Sequence, residues 1–195
     1  AAILDGRYNN AIALMNAGNI IEAYDAFVAL GGYKDSTEKA NSMYAKYKAE
    51  KLKDAKVGDY IFFGTYEQDN NTSNGKELIE WLVLEVKDGK ALVISKYGLD
   101  GKRYNNYYYN GGTWEKCMLR KWLNNDFINA AFTADEKAVI PTVTVSADKN
   151  PKYDTDPGNA TQDKVFLLSL DEVNEYLKHV GARQCEATFY AIANG

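Results

Sequence analysis

The chain has 195 residues, of which 46% are hydrophobic and 13% aromatic, and these fractions are sufficient for a packed globular core. Its formal net charge is −4 and its pI is near 5.1, and the lysines at positions 46 to 56 are interleaved with acidic residues. Binding to nucleic acid or to an anionic membrane surface requires a concentrated basic surface, so we expect neither partner.

Membrane insertion of this segment is not expected either. No apolar run approaches the roughly 20 residues that cross a bilayer, and no charged segment followed by an apolar core marks a signal peptide. The abrupt start at Ala1 is typical of a processed or trimmed chain. Export is therefore compatible with the sequence, although no signal or anchor is expected in this segment.

The first 55 residues have only helical periodicity. Two apolar patterns with i, i+3, i+4, i+7 spacing flank a turn at Gly18 and Asn19, which predicts an αα-hairpin. Small residues at the expected helix contacts make this hairpin resemble a tetratricopeptide unit. One such unit cannot bury its own faces, so we expect a third helix over residues 36–55 to close the core.

From Val57 the apolar period changes to two, which predicts a mainly antiparallel sheet. Residues 59–68 read as a strand, and residues 79–97 read as a β-hairpin. Asp88 and Gly89 lie at its turn, because this dipeptide accepts the positive φ of a type I′ turn. The polar segment 69–77 is expected to join the first strand to this hairpin.

An aromatic loop follows the hairpin and is the best candidate for contact with a ligand. It contains Tyr104, Tyr107, Tyr108, Tyr109 and Asn110. Flat phenol rings beside amide groups can stack on sugars or peptides and bind their polar edges, a composition also favoured in antibody binding loops. The alternative is that these tyrosines pack onto their own domain.

Residues 113–141 predict two helices. In the first, Met118, Leu119, Trp122 and Leu123 form an apolar stripe, with Lys116 and Arg120 on the opposite side. In the second, Thr133 and Glu136 have the spacing of a capping box, and Pro141 ends the helix. The tryptophans Trp81, Trp114 and Trp122 are interpreted as core residues.

Residues 142–146 predict a short strand, and a long loop without any period follows it. Within this loop, Asp154, Asp156, Asn159 and Asp163 supply hard oxygen donors that could suit calcium. Their spacing does not match an EF-hand, so the solvated turn is the favoured interpretation. The sequence predicts no bound metal or cofactor.

The apolar residues 165–168 predict a buried strand that leads directly into a helix over residues 171–179, with a second capping box formed by Ser169 and Glu172. His179 is the chain's single histidine, and Cys117 and Cys185 are its two cysteines. We interpret the cysteines as reduced core thiols, with a disulfide and a metal site with His179 as alternatives. The sequence contains no nucleophile elbow, phosphate-binding glycine loop, HExxH or CxxC motif.

Three ordered segments carry a family resemblance: IEWLVLEVKDGKALVISKYGLD, TWEKCMLRKWLNNDFINAAFTADEKAVI and TQDKVFLLSLDEVNEYL, followed by ARQCEATFYA. Over residues 57–195 the chain resembles the uncharacterised bacterial domain of unknown function 6273. The resemblance implies an exported or membrane-tethered protein, located outside the cell or on its surface. It also implies similarity to the superfold of C-type lectins and formylglycine-generating enzymes, and a domain that continues past residue 195.

The sequence therefore predicts an α+β protein with two units. Residues 1–55 form a tetratricopeptide-like helical unit, and residues 56–195 form a mainly antiparallel sheet domain with short helices, similar to C-type lectins and lacking its C-terminal part. The predicted function is a non-enzymatic binding or adhesion module with a protein or glycan ligand. The alternatives are an oxidative or hydrolytic enzyme that uses Cys117, Cys185 or His179, and a purely structural domain.

Overall fold

The computed structural model describes residues 2–106 and 112–195, and it contains an N-terminal helical region followed by small antiparallel sheets with short helices. The helical region comprises α1 (Ala2–Asn16), α2 (Ile20–Ala29) and α3 (Ser36–Leu52). The predicted α+β class is confirmed. None of the described helices is both long enough and apolar enough to span a membrane.

The core of the helical region is built from small and aromatic side chains. Ala11 of α1 and Ala23 of α2 are completely buried, which allows the two helices to approach closely around Phe27. From α3, Ala40 and Met43 complete this core. The third helix ends at Leu52, three residues before the predicted end, and Leu52 packs against the core of the remaining chain.

Three strands form the main antiparallel sheet in the order β1 (Tyr60–Tyr66), β2 (Glu77–Lys87) and β3 (Lys90–Ser95). Asp88 and Gly89 both have positive φ values, 49° and 69°, so the predicted type I′ turn between β2 and β3 is confirmed. The pairing of β1 with β2 shifts register between Phe62 and Thr65. A second sheet pairs β4 (Val143–Val145) with β5 (Thr161–Asp163), also antiparallel.

A helix with an irregular middle packs against the main sheet. It runs through α4 (Met118–Trp122), a π-helical turn (Leu123–Phe127) and α5 (Ile128–Ala131), and α6 (Ala134–Val139) follows. The wider π-helical turn changes the angular phase of the helix, and Phe127 at its end, with Ile128 and Ala131 of α5, supplies buried side chains to the main core. Ile79 on β2 is completely buried in the same core.

The prediction of a helix beginning at Thr113 with Met118 in the core is wrong. Residues 114–116 form a 3₁₀ turn, and the extended backbone of Cys117 delays the helix to Met118, whose side chain is 44% exposed. Leu119 and Trp122 of the predicted stripe are half-buried. Arg120, predicted to lie opposite the core, instead reaches the buried Asp163.

The predicted strand over residues 165–168 is absent from the structure. The backbone N–H of Val165 donates to the side-chain oxygen of Asn124, and its carbonyl accepts from the side-chain nitrogen of Asn124. The Asn124 side chain thus takes the place of the neighbouring strand that residues 165–168 would need. The strand in this part of the chain is instead Thr161–Asp163, which pairs with β4.

Both predicted capping boxes are present. Thr133 with Glu136 begins α6, and Ser169 with Glu172 begins α7 (Leu170–Tyr176). The predicted extension of α7 to His179 is wrong, since the backbone leaves the helical region at Leu177. A 3₁₀ turn (Val180–Arg183) and α8 (Phe189–Asn194) complete the described elements.

An ion pair between α3 and α6 also joins the helical region to the remainder of the chain. The ammonium of Lys48 lies 3.6 Å from the carboxylate of Glu136, and both side chains are nearly buried. Lys48 also lies over the ring of Phe63 in β1. Glu136 therefore serves two purposes, as the capping-box carboxylate of α6 and as the ion-pair partner of α3.

Candidate functional site

A groove of about 450 Å³ lies between the segment before the aromatic loop and the helix formed by α4 and its π-helical turn. This volume is within the range of roughly 300–1,000 Å³ that is typical of small-molecule sites. Its lining residues come from two stretches of chain and are Lys102, Arg103, Asn106, Met118, Leu119, Lys121, Trp122, Asn125 and Asp126.

The start of α4 fixes the two walls of the groove relative to each other. The first N–H groups of a helix have no partner within the helix and must find one elsewhere. The N–H of Met118 donates to the side chain of Asn105 at 3.1 Å, and the N–H of Leu119 donates to the carbonyl of Tyr104 at 3.2 Å. The thiol sulfur of Cys117 accepts from the N–H of Arg120 at 3.3 Å. Residues 104–105 are therefore held against the helix by its own capping requirements.

Trp122 forms part of the groove and contacts both Lys102 and Phe127. The ammonium of Lys102 lies 5.3 Å from the centre of its ring system, and Phe127 packs against it with ring centres 5.5 Å apart. A cation over an indole ring is electrostatically attracted to it. Trp122 thus supports the ammonium of Lys102 at the groove wall.

A buried carboxylate stands behind Lys102. The Asp100 side chain is only 4% exposed, and one of its oxygens lies 3.4 Å from the Lys102 ammonium. Its other oxygen accepts a hydrogen bond of 2.7 Å from the Tyr66 hydroxyl. Burial, followed by the hydrogen bond to Asp100, raises the pKa of Tyr66, so this phenol remains a neutral donor. Tyr66 thus holds Asp100, and Asp100 in turn holds the ammonium of Lys102.

The groove has a positive balance of charge. Lys102, Arg103 and Lys121 line it, and Asp126 is the single carboxylate among the lining residues. The Asp126 carboxylate accepts a hydrogen bond from the Asn125 amide at 2.9 Å. The groove therefore has the opposite sign to the whole chain, whose formal net charge is −4.

The sequence-predicted ligand residues divide into two groups. Tyr104 is described, but it does not line the groove, because it lies against the buried thiol of Cys117. Burial, followed by the proximity of Cys117, raises the pKa of Tyr104 to about 12. The predicted ligand residues Tyr107, Tyr108, Tyr109 and Asn110 lie outside the described residues. The groove residue Asn106 belongs to the same sequence segment.

Sequence reasoning missed a buried ionic cluster behind α4. The Arg120 guanidinium donates to both oxygens of Asp163, at 2.8 and 3.0 Å, and the Asp163 side chain is 1% exposed. The Trp114 indole and the Thr161 hydroxyl also donate to this carboxylate. Burial alone would raise the pKa of Asp163, but the hydrogen bonds from Arg120, Thr161 and Trp114 outweigh it and hold the pKa below its usual value. Arg120 and Asp163 are 43 residues apart, so no local pattern could indicate this pair.

The three aspartates considered for calcium have different environments. All of the hydrogen bonds to the buried Asp163 come from the cluster just described. Asp154 is exposed and pairs with Lys149 at 3.1 Å, and Asp156 accepts from the N–H of Gly158 within its own turn. Each carboxylate thus has a structural partner.

A different carboxylate group has the geometry to hold a cation. Glu67, Asp69 and Glu77 each offer an oxygen, and these oxygens lie within 4.8 Å of one another around the loop between β1 and β2. The same oxygens also close this loop. Glu77 accepts from the N–H of Gln68 at 2.7 Å, and the side chain of Asn74 donates to Asp69 and is the main cause of its lowered pKa. Loop closure accounts for this arrangement without an ion.

The residues of the enzymatic alternative do not form a described site. Cys117 is buried and Cys185 is exposed, and both are free thiols, so the interpretation of Cys185 as a core thiol is wrong. His179 is exposed. No hydrogen bond joins any two of these three residues, all of which the structure describes.

Comparison with known proteins gives one match. The model of the Domain of unknown function (DUF6273) matches residues 88–194, a stretch that contains the groove, the Arg120–Asp163 cluster and α8. No curated protein and no solved structure matches the chain.

Proposed function

We propose that this chain, which belongs to the family of the Domain of unknown function (DUF6273), is a non-enzymatic binding module whose ligand occupies the groove beside α4. The observation that carries the proposal is a groove of about 450 Å³ lined by two amides, four charged side chains and a few apolar ones. Sites of this kind orient a ligand through a small number of placed polar groups.

The groove is also built to keep its shape without a ligand. One wall is tied to the start of α4 by the hydrogen bonds of Tyr104 and Asn105, and Lys102 is held between Asp100 and Trp122. A site that is organised in advance loses less conformational freedom when it binds. Among the described residues that line it, none is a nucleophile paired with a base, which supports binding rather than catalysis.

The proposal is tested by screening the purified chain against immobilised oligosaccharides and peptides. Asn106 and Asn125 are exposed amides in the groove wall, so the double variant Asn106→Ala/Asn125→Ala should lose binding while it keeps its fold. Asn9→Ala, which removes an exposed amide of α1, is the matched control. If the double variant binds as well as the wild type, the groove is not the site. Turnover of a bound compound would contradict the non-enzymatic role.

The sequence of the aromatic loop also suggests a part in ligand binding, since it combines tyrosines with amides beside the groove residue Asn106. Tyr107, Tyr108 and Tyr109 precede residue 112, which is followed by the 3₁₀ turn that leads into α4. The triple change of these tyrosines to alanine in the same screen would measure their part in binding. If the triple variant still binds, these tyrosines do not contribute to binding, whatever the result with Asn106 and Asn125.

The finer features implied by the family resemblance belong to the same proposal. We propose a tetratricopeptide-like packing for α1 and α2, supported by the completely buried Ala11 and Ala23, and a lectin-like arrangement of the remaining chain. We also propose a bacterial protein located outside the cell or on its surface. Protease treatment of intact producing cells would test the location, since an internal protein would be protected.

A further inference from the structure

We infer that the ligand of the groove is an acidic oligosaccharide, whose carboxylate or sulfate groups bind Arg103 and Lys121 while Asn106 and Asn125 bind its hydroxyl groups. This inference rests on the proposed binding function and adds the chemical class of the ligand.

Two of the three cations that line the groove have no ion-pair partner among the described residues. Three cations and one carboxylate line it, and Lys102 is the cation that has an ion pair, with Asp100. Within residues 2–106 and 112–195, no carboxylate lies within ion-pair distance of Arg103 or Lys121. Neighbouring cations without partners repel one another, and an anionic ligand relieves that repulsion.

Lys102 is the cation whose position is most closely defined. Asp100 is buried, and its oxygen nearest to Lys102 accepts no hydrogen bond. The Trp122 ring supports the same ammonium from another side. Asp100 is therefore a positioning residue for Lys102, and a positioned ammonium at the groove wall is suited to a ligand oxygen that carries negative charge.

Two features distinguish this ligand from other classes. Neutral sugars are commonly bound by stacking on an exposed aromatic face, but the ammonium of Lys102 already lies over the Trp122 ring and Phe127 packs against it. Peptides are commonly bound by pairing with a strand edge, by an apolar groove or, when they are acidic, by clusters of arginines, whereas this groove has a single arginine, Arg103. The groove residues lie in residues 102–106 and 118–126, outside every described strand. Amides among cations suit a molecule with many hydroxyl groups and some anionic groups.

The test uses matched carbohydrate probes in equilibrium binding measurements with the full chain. The probes are an oligogalacturonate, the same oligomer with its carboxylates methyl-esterified, and a sulfated galactan oligomer. The double variant Arg103→Gln/Lys121→Gln removes both uncompensated charges and keeps side chains of similar polarity. Lys149→Gln/Lys152→Gln is the control, since it removes the same charge from another loop.

We expect the free acid or the sulfated oligomer to bind at least about tenfold more tightly than the methyl ester, with affinity decreasing as salt concentration rises. Preference for carboxylate or for sulfate identifies the anionic group. The Arg103/Lys121 double variant should lose about tenfold or more of this affinity, and the control variant should lose none. Asp100→Asn removes the ion-pair partner of Lys102 and should change the affinity for the anionic probes more than the affinity for the methyl ester.

Three outcomes would overturn the inference. The first is equal binding of the acid and its methyl ester, and the second is retention of acidic binding in the Arg103/Lys121 double variant. In the third, no anionic probe binds, although a neutral sugar or a peptide binds the groove. In each case the proposed binding function stands if Asn106→Ala/Asn125→Ala still abolishes binding of some ligand. Absence of any ligand in the broader screen would instead remove the binding function itself.

Discussion

Substituting Gly64 with alanine should destabilise the protein strongly, because this glycine lies where β1 meets the helix formed by α4 and α5. Its φ is +73°, in the left-handed region, and it is located at the register shift between Phe62 and Thr65. A Cβ atom placed there would lie 2.6 Å from a ring carbon of Phe132 and 2.8 Å from the carbonyl oxygen of Ala131. The second atom belongs to the backbone and cannot move alone.

The expected loss in free energy of unfolding is the sum of two separate contributions. The left-handed conformation costs an L-residue about 1–2 kcal/mol, and forcing an extra methyl group into a packed core costs about 1–3 kcal/mol. The free energy of unfolding should therefore fall by roughly 2–5 kcal/mol. Gly89→Ala is the matched control, since Gly89 has a φ of +69° and no atom within 4 Å of the added Cβ. It should show only the first cost, about 1–2 kcal/mol.

Urea unfolding followed by tryptophan fluorescence would measure both variants at constant pH. All three tryptophans, Trp81, Trp114 and Trp122, lie outside the helical region, so the signal reports on the unit that contains Gly64. The additional variant Phe132→Leu should recover part of the loss in the Gly64→Ala background, but not all of it, since the Ala131 carbonyl remains. If Gly64→Ala is no less stable than Gly89→Ala, the close approach of strand and helix described here is wrong.

Two further predictions concern the buried polar groups. Arg120→Met leaves the buried Asp163 carboxylate without its cation and should cost about 3 kcal/mol or more at pH 7, measured by urea unfolding. Folding lowers the pKa of Asp163, so its contribution to stability is complete above the unfolded pKa of about 3.9 and disappears as pH falls through the folded pKa. The difference in free energy of unfolding between wild type and Arg120→Met should therefore become smaller from pH 6 to pH 3. A difference that becomes larger would contradict this prediction. Thr133→Ala and Ser169→Ala each remove a capping hydroxyl and should each lower the free energy of unfolding by about 1 kcal/mol. The loss is measured as a lower melting temperature. Thr133→Ala should cost more, since its hydroxyl also donates to the buried Glu136, and equal losses would refute that additional contribution.

Local sequence rules were sufficient where neighbouring residues decide the structure. The type I′ turn at Asp88 and Gly89 needs only the conformational freedom of those two residues, and the capping boxes need only a hydroxyl and a carboxylate three positions apart. The strand at residues 143–145 and the helices of the first 55 residues also follow from the period of their apolar side chains. These features were predicted from the sequence and are present in the structure.

The tertiary structure decided the features that depend on distant partners. Residues 165–168 have the composition of a strand, but Asn124 satisfies the backbone of Val165 and leaves no strand partner. Helical periodicity placed Arg120 on the solvent side, whereas the delayed helix start and the buried Asp163 turn it inward.

The groove is the clearest case of this division. The sequence determined that residues 104–110 combine aromatic and amide side chains near a helix start. It could not determine that Asp100 and Trp122 would position Lys102, or that Arg103 and Lys121 would line the same groove. The physical reason is that a turn or cap is fixed by bonds within a few residues, whereas a binding surface depends on how separate segments pack together.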